Sequence, residues 1–338
     1  MTVDLSPYLS AVPDAVVERI RGAKRVLAVS HENPDADTVG ATLGVVRMVE
    51  RLGGRVDPVC TDPVPPIYDF IDGVELFRTD PDPAAHYDLL VLSDCATPER
   101  VGPVGERHRE LFERLPRVVI DHHASNAALA EADWIDPDAA ATCEMVALLV
   151  TCLGVPLGSD RALATALMAG IVMDTATFAH PNATPRTLAV SAALVEAGAP
   201  LSDISRRLYR SKPENQLRLF GRVLDRLTSF DEGRVVASTL LDADLAATGT
   251  QPPHSEGIID LLAQAERAEV AILFKEAGET TRISVRTKPG GVDATVLTGL
   301  FGGGGHARAA GATLPLPVDR ARDAVLAEAR KAAAAVAR

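Results

Sequence analysis

Arg117-Val118-Val119-Ile120-Asp121-His122-His123 joins a short apolar run to three residues that can bind or steer a metal ion. The same join recurs upstream and downstream. Val26-Leu27-Ala28-Val29 is followed closely by His31, Asp35 and Asp37; Leu89-Leu90-Val91-Leu92-Ser93 runs into Asp94; and the apolar stretch 168–173 runs into Asp174. Short apolar runs between polar ends read as buried strands. In a parallel sheet the C-terminal ends of strands gather along one edge, where ligands bind, so residues remote in sequence can meet there. Imidazole with carboxylate, and no cysteine, suits Mn, Fe, Zn or Co. The pattern points to a two-metal hydrolytic centre.

Outward from this stretch, the periodicity predicts a helix over 14–22, a strand over 25–30, a helix over 40–52 ending at Gly53-Gly54, and a strand over 55–60. A short helical piece at 68–71, a strand over 88–93, a polar helix over 105–115 and the strand at 117–120 follow. Such alternation argues for a doubly wound parallel sheet. Helices are then expected over 141–154, 159–173, 184–198, 201–210 and 213–229, with Pro213 suited to a first helical position. Strands over 234–241, 268–275 and 281–287, with helices over 293–301 and 318–337, make a second α/β domain. The expected organisation is a metal-dependent domain over 1–195, a helical linker over 196–230 and a smaller substrate-binding domain over 231–338.

A chain of 338 residues with 47% hydrophobic content can build two cores. The 46 acidic residues against 34 basic ones give a formal charge of -12. That balance disfavours tracking along long nucleic acid, where Lys and Arg must displace counterions. A short anionic substrate held by metals and a few arginines remains compatible with it. No stretch has the length or flanks of a membrane span or a signal peptide. Cys60, Cys95, Cys143 and Cys152 show neither zinc-type pairing nor a disulfide pattern. Reduced thiols and a cytoplasmic location are the expectation.

Asp35 and Asp37 flank Ala36 in a turning segment, so they can reach two adjacent ions. With Asp94 and Asp174 they bring four carboxylates to one place, and without metal such crowding forces some of them to hold protons. Two divalent cations balance the four charges, and two ions about 3.5–4 Å apart activate water for in-line attack on phosphorus. Taken singly, each residue has a plainer role: an Asp after a strand is more often a helix cap or turn residue than a ligand.

Together, His31-Glu32-Asn33-Pro34-Asp35-Ala36-Asp37, Asp94, Asp121-His122-His123 and Asp174-Thr175 resemble the motifs of the DHH phosphoesterase superfamily. The resemblance implies one manganese held by His31, Asp35 and Asp94, and another held by Asp37, Asp94, His122 and Asp174, with Asp94 bridging; Mg2+ or Co2+ are the alternatives. It implies that His123 contacts the substrate phosphate or moves a proton, and that Asp121 orients its neighbours. Ala36 stands where the superfamily commonly has Gly and Ala41 where it has Ser, so this loop must use an ordinary backbone conformation.

In the second domain, Phe301-Gly302-Gly303-Gly304-Gly305-His306-Ala307-Arg308-Ala309-Ala310-Gly311 offers backbone N–H groups free of Cβ obstruction. Ser284 and Arg286, two apart on a strand, offer a hydroxyl and a phosphate fork on one face. For glycines alone, a ligand-free flexible loop is the simpler account. The whole string is similar to the DHHA1 signature, which implies substrate capture by Arg286, the Gly302–Gly305 loop and His306; Ser284 joins them by its place on the strand, and Arg308 is either a further member or a solvated surface arginine.

Both motif sets in this order resemble small bacterial DHH–DHHA1 phosphodiesterases. The substrates so implied are short: pApA, other nanoRNA, cyclic di-AMP, and 3′-phosphoadenosine 5′-phosphate (pAp) for a 3′-phosphatase activity. Terminal capture by one domain and cleavage by the other would make the spacing of the domains a ruler. Pyrophosphate or polyphosphate hydrolysis is the rival enzyme, and a nucleotide sensor with a vestigial centre the rival of another class. A homodimer is common among such relatives, with the apolar helix 159–173 as a candidate interface or core element.

Overall fold

The computed structural model describes residues 3–95, 98–124, 126 and 132–336, so the last residue of the expected helix over 318–337 lies outside them. The chain divides into two compact units, Met1–Ser211 and Lys212–Arg338.

The first unit runs α1 (Asp14–Gly22), β1 (Arg25–Val29), α2 (Ala36–Arg51), β2 (Arg55–Val59), β3 (Leu89–Ser93), α3 (Pro103–Arg107), α4 (Arg109–Arg114), β4 (Arg117–Asp121), β5 (Asp133–Ile135), α5 (Thr142–Cys152), α6 (Arg161–Asp174), α7 (Pro185–Glu196) and α8 (Leu201–Tyr209). Its five strands are all parallel in the order β2-β1-β3-β4-β5. In such an order the connections leave β1 and β3 in opposite directions, which opens a crevice beyond their C-terminal ends.

Alternation along the strands feeds two cores. Val26, Ala28, Val91 and Ile120 pack with α2, α5 and α6, while Leu27, Val29, Leu90 and Leu92 pack with Val101, Val104 and Leu115 on the other face. Leu163, Leu167, Met168, Ile171 and Val172 of α6 are fully buried. At about 1.5–3 kcal/mol for each large apolar side chain buried, α6 is a core helix rather than an interface. It packs closely on α2, since a Cβ at Gly40 would overlap the Ala166 carbonyl and one at Gly44 would overlap Leu167.

The structure departs from the sequence expectations at several points. Helix α2 starts at Ala36 rather than Gly40, because Asp35 Oδ1 accepts the N–H groups of Asp37 (2.9 Å) and Thr38 (3.1 Å) and caps it. The polar helix expected over 105–115 is two short helices, α3 and α4, meeting at His108. The helical piece expected at 68–71 is a 3-10 turn over Pro66–Tyr68. Strand β5, three residues long, was too short to register as periodicity.

The second unit runs α9 (Glu214–Asp225), β6 (Thr228–Phe230), β7 (Val235–Leu240), α10 (Asp242–Thr248), α11 (Ile258–Ala263), β8 (Val270–Ala277), β9 (Thr280–Thr287), α12 (Ala294–Gly299), β10 (Gly304–His306), β11 (Ala309–Leu314) and α13 (Val318–Val336). Its sheet has the order β10-β11-β9-β8-β7-β6, and only β7 and β8 are parallel. One face packs on α12 and α13 through Ile272, Phe274, Val285, Val325 and Ala329, and the other on α9 and α11 through Ala271, Leu273, Phe220 and Leu262. Strands β6, β10 and β11 were not expected. The glycine segment, read as a loop, in fact pairs Gly304–His306 with Ala309–Gly311.

The helices expected as a connector over 196–230 fall on both sides of the division. Helix α8 buries Ile204 and Leu208 in the first unit, and α9 buries Leu219, Phe220 and Val223 in the second. Among the described residues no single helix is long and apolar enough to cross a membrane.

Candidate active site

Three elements converge at the mouth of the β1–β3 crevice. Thr38, in the first turn of α2, donates its hydroxyl to the Ser93 carbonyl (3.0 Å) and accepts from the His31 N–H (3.3 Å), tying the ends of β3 and β1 to the helix. The ring of His31 then donates from Nδ1 to the Glu32 carbonyl at 2.7 Å. That leaves Nε2 with a lone pair, 3.5 Å from Asp94 Oδ2 and 3.9 Å from Asp35 Oδ1. His122 is held the same way: Nδ1 lies 3.3 Å from the Ala139 carbonyl, and Nε2 faces Asp174 Oδ2 (3.2 Å), Asp94 Oδ1 (3.5 Å) and Asp37 Oδ2 (3.9 Å).

Two triads therefore stand side by side, His31/Asp35/Asp94 and Asp37/His122/Asp174, each with ligand atoms within 4.8 Å of one another. Donors about 2.0–2.2 Å from a common ion lie at most about 4.4 Å apart, so separations of 3.2–3.9 Å fit one ion per triad. Asp94 turns one oxygen to each. A third group, Asp94, His122 and His123, overlaps the second triad.

The electrostatics suit a cation-binding site. Burial, then the charges of Asp37, Asp35 and Asp174, push the Asp94 carboxyl well above its ordinary range. Burial and the charges of Asp37 and Asp35 do the same to Asp174. Burial works against a charged His122, but Asp37, Asp94 and Asp121 outweigh it and raise this imidazole. A donor set of buried carboxylates pushed toward protonation, with imidazole lone pairs aimed among them, fits divalent ions of the Mn, Fe, Zn or Co kind.

Asp121 behaves differently. Its Oδ1 accepts from His123 Nδ1 (2.8 Å) and from the His123 N–H (3.2 Å), and its Oδ2 accepts from Asn126 Nδ2 (2.6 Å). Burial would raise this carboxyl, yet the hydrogen bonds from His123 and Asn126 outweigh it and hold Asp121 below the usual range. His123 is thereby fixed with its proton on Nδ1.

The centre includes parts that the sequence reading missed. Thr142 donates its hydroxyl to Asp94 Oδ1 (2.9 Å), and the N–H groups of Thr142 and Cys143 reach the two oxygens of Asp37 (2.7 and 2.9 Å). The signal was present in the three alanines before Thr142, which let a helix N-terminus come close. Arg100 Nη2 lies 3.3 Å from His31 Nδ1, a cation beside the ring. Asp174 comes from the end of helix α6 and not from a strand. Behind it Ala176, Thr177 and Phe178 all take positive φ (47°, 58° and 63°), and Asp94 itself has φ 61°.

Residues 25–171 match the DHH family, N-terminal domain, and residues 232–335 match the DHHA1 domain. The bifunctional oligoribonuclease and PAP phosphatase NrnA of Thermus thermophilus is 33% identical over 89% of this chain and 88% of its own length. The chain belongs to the DHH family. A protein of the same name from Bacillus subtilis is 24% identical over 84% of this chain and 87% of its own length. Among solved structures, an exopolyphosphatase-related protein from Bacteroides fragilis shares the fold, with a TM-score of 0.87, 20% identity and coverage of 97% and 98% of the two chains. With DHH membership comes the enzyme class, a hydrolase acting on phosphoester bonds.

In the DHHA1 unit the expected binding residues line up by register. Arg286 pairs with Ala309, which pairs with His306; Ser284 pairs with Gly311, which pairs with Gly304. Directly opposed residues share a face, so Arg286 and His306 flank a floor of Ala309, and Ser284 and Gly304 flank a floor of Gly311. Arg286 is held by Asp260 (Nε to Oδ1, 2.9 Å). The glycines divide by cause. Gly302 and Gly305 have φ 73° and 142°, and a Cβ at Gly303 would overlap the Gly311 carbonyl, so hairpin geometry accounts for these three. Gly304 meets nothing within 4 Å and is exposed. Arg308 does not join the row: its Nη1 donates to the carbonyls of Lys288 (2.7 Å) and Val292 (3.2 Å), where it braces a loop.

Proposed function

We propose that this DHH protein hydrolyses short phosphodiesters with two divalent metal ions, Mn2+ first among them, releasing 5′-mononucleotides. The observation that carries the reading is the pair of triads side by side, with Asp94 turning one oxygen to each imidazole and each ring held through Nδ1 with Nε2 inward. The ions would be held by His31, Asp35 and Asp94 on one side and by Asp37, Asp94, His122 and Asp174 on the other. When bound, they supply Lewis acidity toward the phosphoryl oxygens and lower the pKa of water.

The chain's own residues do the rest. Asp121 keeps His123 oriented with Nδ1 protonated, so that Nε2 can exchange a proton or a hydrogen bond with the substrate phosphate. The fork of Arg286, with Ser284, Gly304 and His306, would engage a second phosphate or a base edge of the nucleotide. Linear dinucleotides such as pApA and other nanoRNA are the substrates we favour, with pAp as a second one and cyclic di-AMP as a further candidate; the two NrnA relatives support the first two. The formal charge of -12 is consistent with short substrates rather than long nucleic acid.

Chromatography of products after incubation with pApA, a five-nucleotide RNA, pAp, cyclic di-AMP and pyrophosphate, each with Mn2+ and with EDTA, tests the proposal. Metal-dependent AMP from pApA is the expected result. Phosphate from pyrophosphate, with every nucleotide left intact, would reassign the chain to pyrophosphate hydrolysis. Silence on all five, with nucleotide still bound in EDTA, would make it a sensor.

A further inference from the structure

Helix α5 is eleven residues long, and its first residue touches both halves of the centre. The backbone N–H of Thr142 donates to Asp37 Oδ2 at 2.7 Å, and that of Cys143 to Asp37 Oδ1 at 2.9 Å. Each oxygen of Asp37 thus receives one donor, at a helix end whose dipole favours the anion. The hydroxyl of the same Thr142 donates to Asp94 Oδ1 at 2.9 Å across 48 positions of sequence. Thr142, Asp37 and Asp94 are all buried, with 0%, 0% and 2% of their surface exposed.

We propose that Thr142 is a positioning residue that sets the orientations of Asp94 and Asp37 relative to each other, so that both ions can be held at once. The inference rests on the two-metal reading above. The Thr142 hydroxyl donates to Asp94 Oδ1, and with metal bound an ionised Asp94 could only accept it, so one rotamer of Asp94 is selected. In that rotamer Oδ2 faces His31 Nε2 at 3.5 Å and Oδ1 faces His122 Nε2 at 3.5 Å, the division that bridging requires. The hydroxyl that reaches Asp94 and the N–H that grips Asp37 belong to one residue, so the two carboxylates are positioned together. Among the described residues, Thr142 is the one side chain that donates a hydrogen bond to Asp94.

The test is Mn2+ titration by calorimetry of the full chain, as wild type, Thr142→Val and Thr142→Ser, after EDTA treatment and desalting. Removing a partner that orients a ligand costs about 10–100-fold in metal affinity. Thr142→Val should therefore bind Mn2+ about 10–100-fold more weakly, or bind one ion where the wild type binds two. Thr142→Ser, which keeps the hydroxyl, should restore the wild-type isotherm. Circular dichroism of the EDTA-treated variants should match the wild type, which separates positioning from folding; Thr142→Ala deletes the hydroxyl without an added methyl should the Val variant fail to fold. Wild-type affinity and stoichiometry in a hydroxyl-less variant would overturn the role of Thr142 alone. A wild-type protein that binds no divalent ion would overturn the two-metal reading beneath it.

Discussion

Burial and the charges of Asp37, Asp35 and Asp174 push Asp94 upward, so in the folded, metal-free protein its proton is held to higher pH than in the unfolded chain. A group raised on folding contributes stability that is complete below its unfolded value, about 3.8, and is lost as pH rises through the folded one. Asp174 and His122 are shifted in the same direction and add to the effect, His122 from a higher starting point. Asp121, held low, acts oppositely and loses its contribution only as pH falls. With EDTA present, Asp94→Asn should therefore gain thermal midpoint relative to the wild type as pH rises above about 4. Parallel slopes for wild type and variant would refute the crowding. With metal restored, Asp94→Asn should lose about 100-fold or more in turnover if Asp94 is the shared ligand proposed above; steady-state kinetics at saturating Mn2+ would measure it. At Gly304 an added Cβ meets nothing, so Gly304→Ala should leave stability within about 0.5 kcal/mol of wild type. If a nucleotide approaches the backbone there, the same variant should raise the KM for pApA, and an unchanged KM would remove Gly304 from the binding face.

Helix packing brings the carboxylates to the crevice. A Cβ at Gly170 of α6 would overlap Asp37 Oδ1 and Cys143 Sγ, so Gly170→Ala should cost about 1–3 kcal/mol in urea unfolding and weaken metal binding with it. Gly221 of α9 is the control: exposed, mid-helix and with open space around it, its change to Ala should stabilise by up to about 1 kcal/mol. Equal effects at the two sites would mean that α2, α5 and α6 are not packed as described. The parallel strands and the long apolar helices were legible in the sequence because period and length are local properties. His31, Asp94 and the Asp121-His122-His123 triplet were legible because they punctuate those strands. What escaped was non-local. Strand β10 consists of glycine and one histidine and exists only because β11 pairs with it. Thr142 matters through a helix end that reaches residues 48 and 105 positions away. Asp35, weighed as either a cap or a ligand, caps α2 and also belongs to a triad.

The two units keep separate hydrophobic cores, one pair of clusters on each side of Ser211. Among the described residues, the side-chain clusters that could hold a metal ion lie in the first. A ligand that binds only the native state stabilises what it binds. Hydrogen exchange of the full chain should therefore slow on adding Mn2+ across β1, α2, β3, β4, α5 and the end of α6, and stay unchanged across β7, β8 and β9. Slowing confined to the second sheet would contradict the location of the centre. The remaining acidity of the chain is spread over both units and needs no site of its own; it keeps net charge well away from zero.

The left-handed backbone at Asp94, with φ 61°, has a consequence for the protein's history as well as its chemistry. Glycine, asparagine and aspartate are the residues that enter this conformation at little cost. Glycine would bring no oxygen, and asparagine would turn an amide toward one of the two imidazole lone pairs. The main chain therefore favours these three at position 94 before any reaction is considered, and the proposed bridging role would favour aspartate among them. A lineage that gave up hydrolysis while keeping this fold would most readily drift at position 94 to asparagine or glycine.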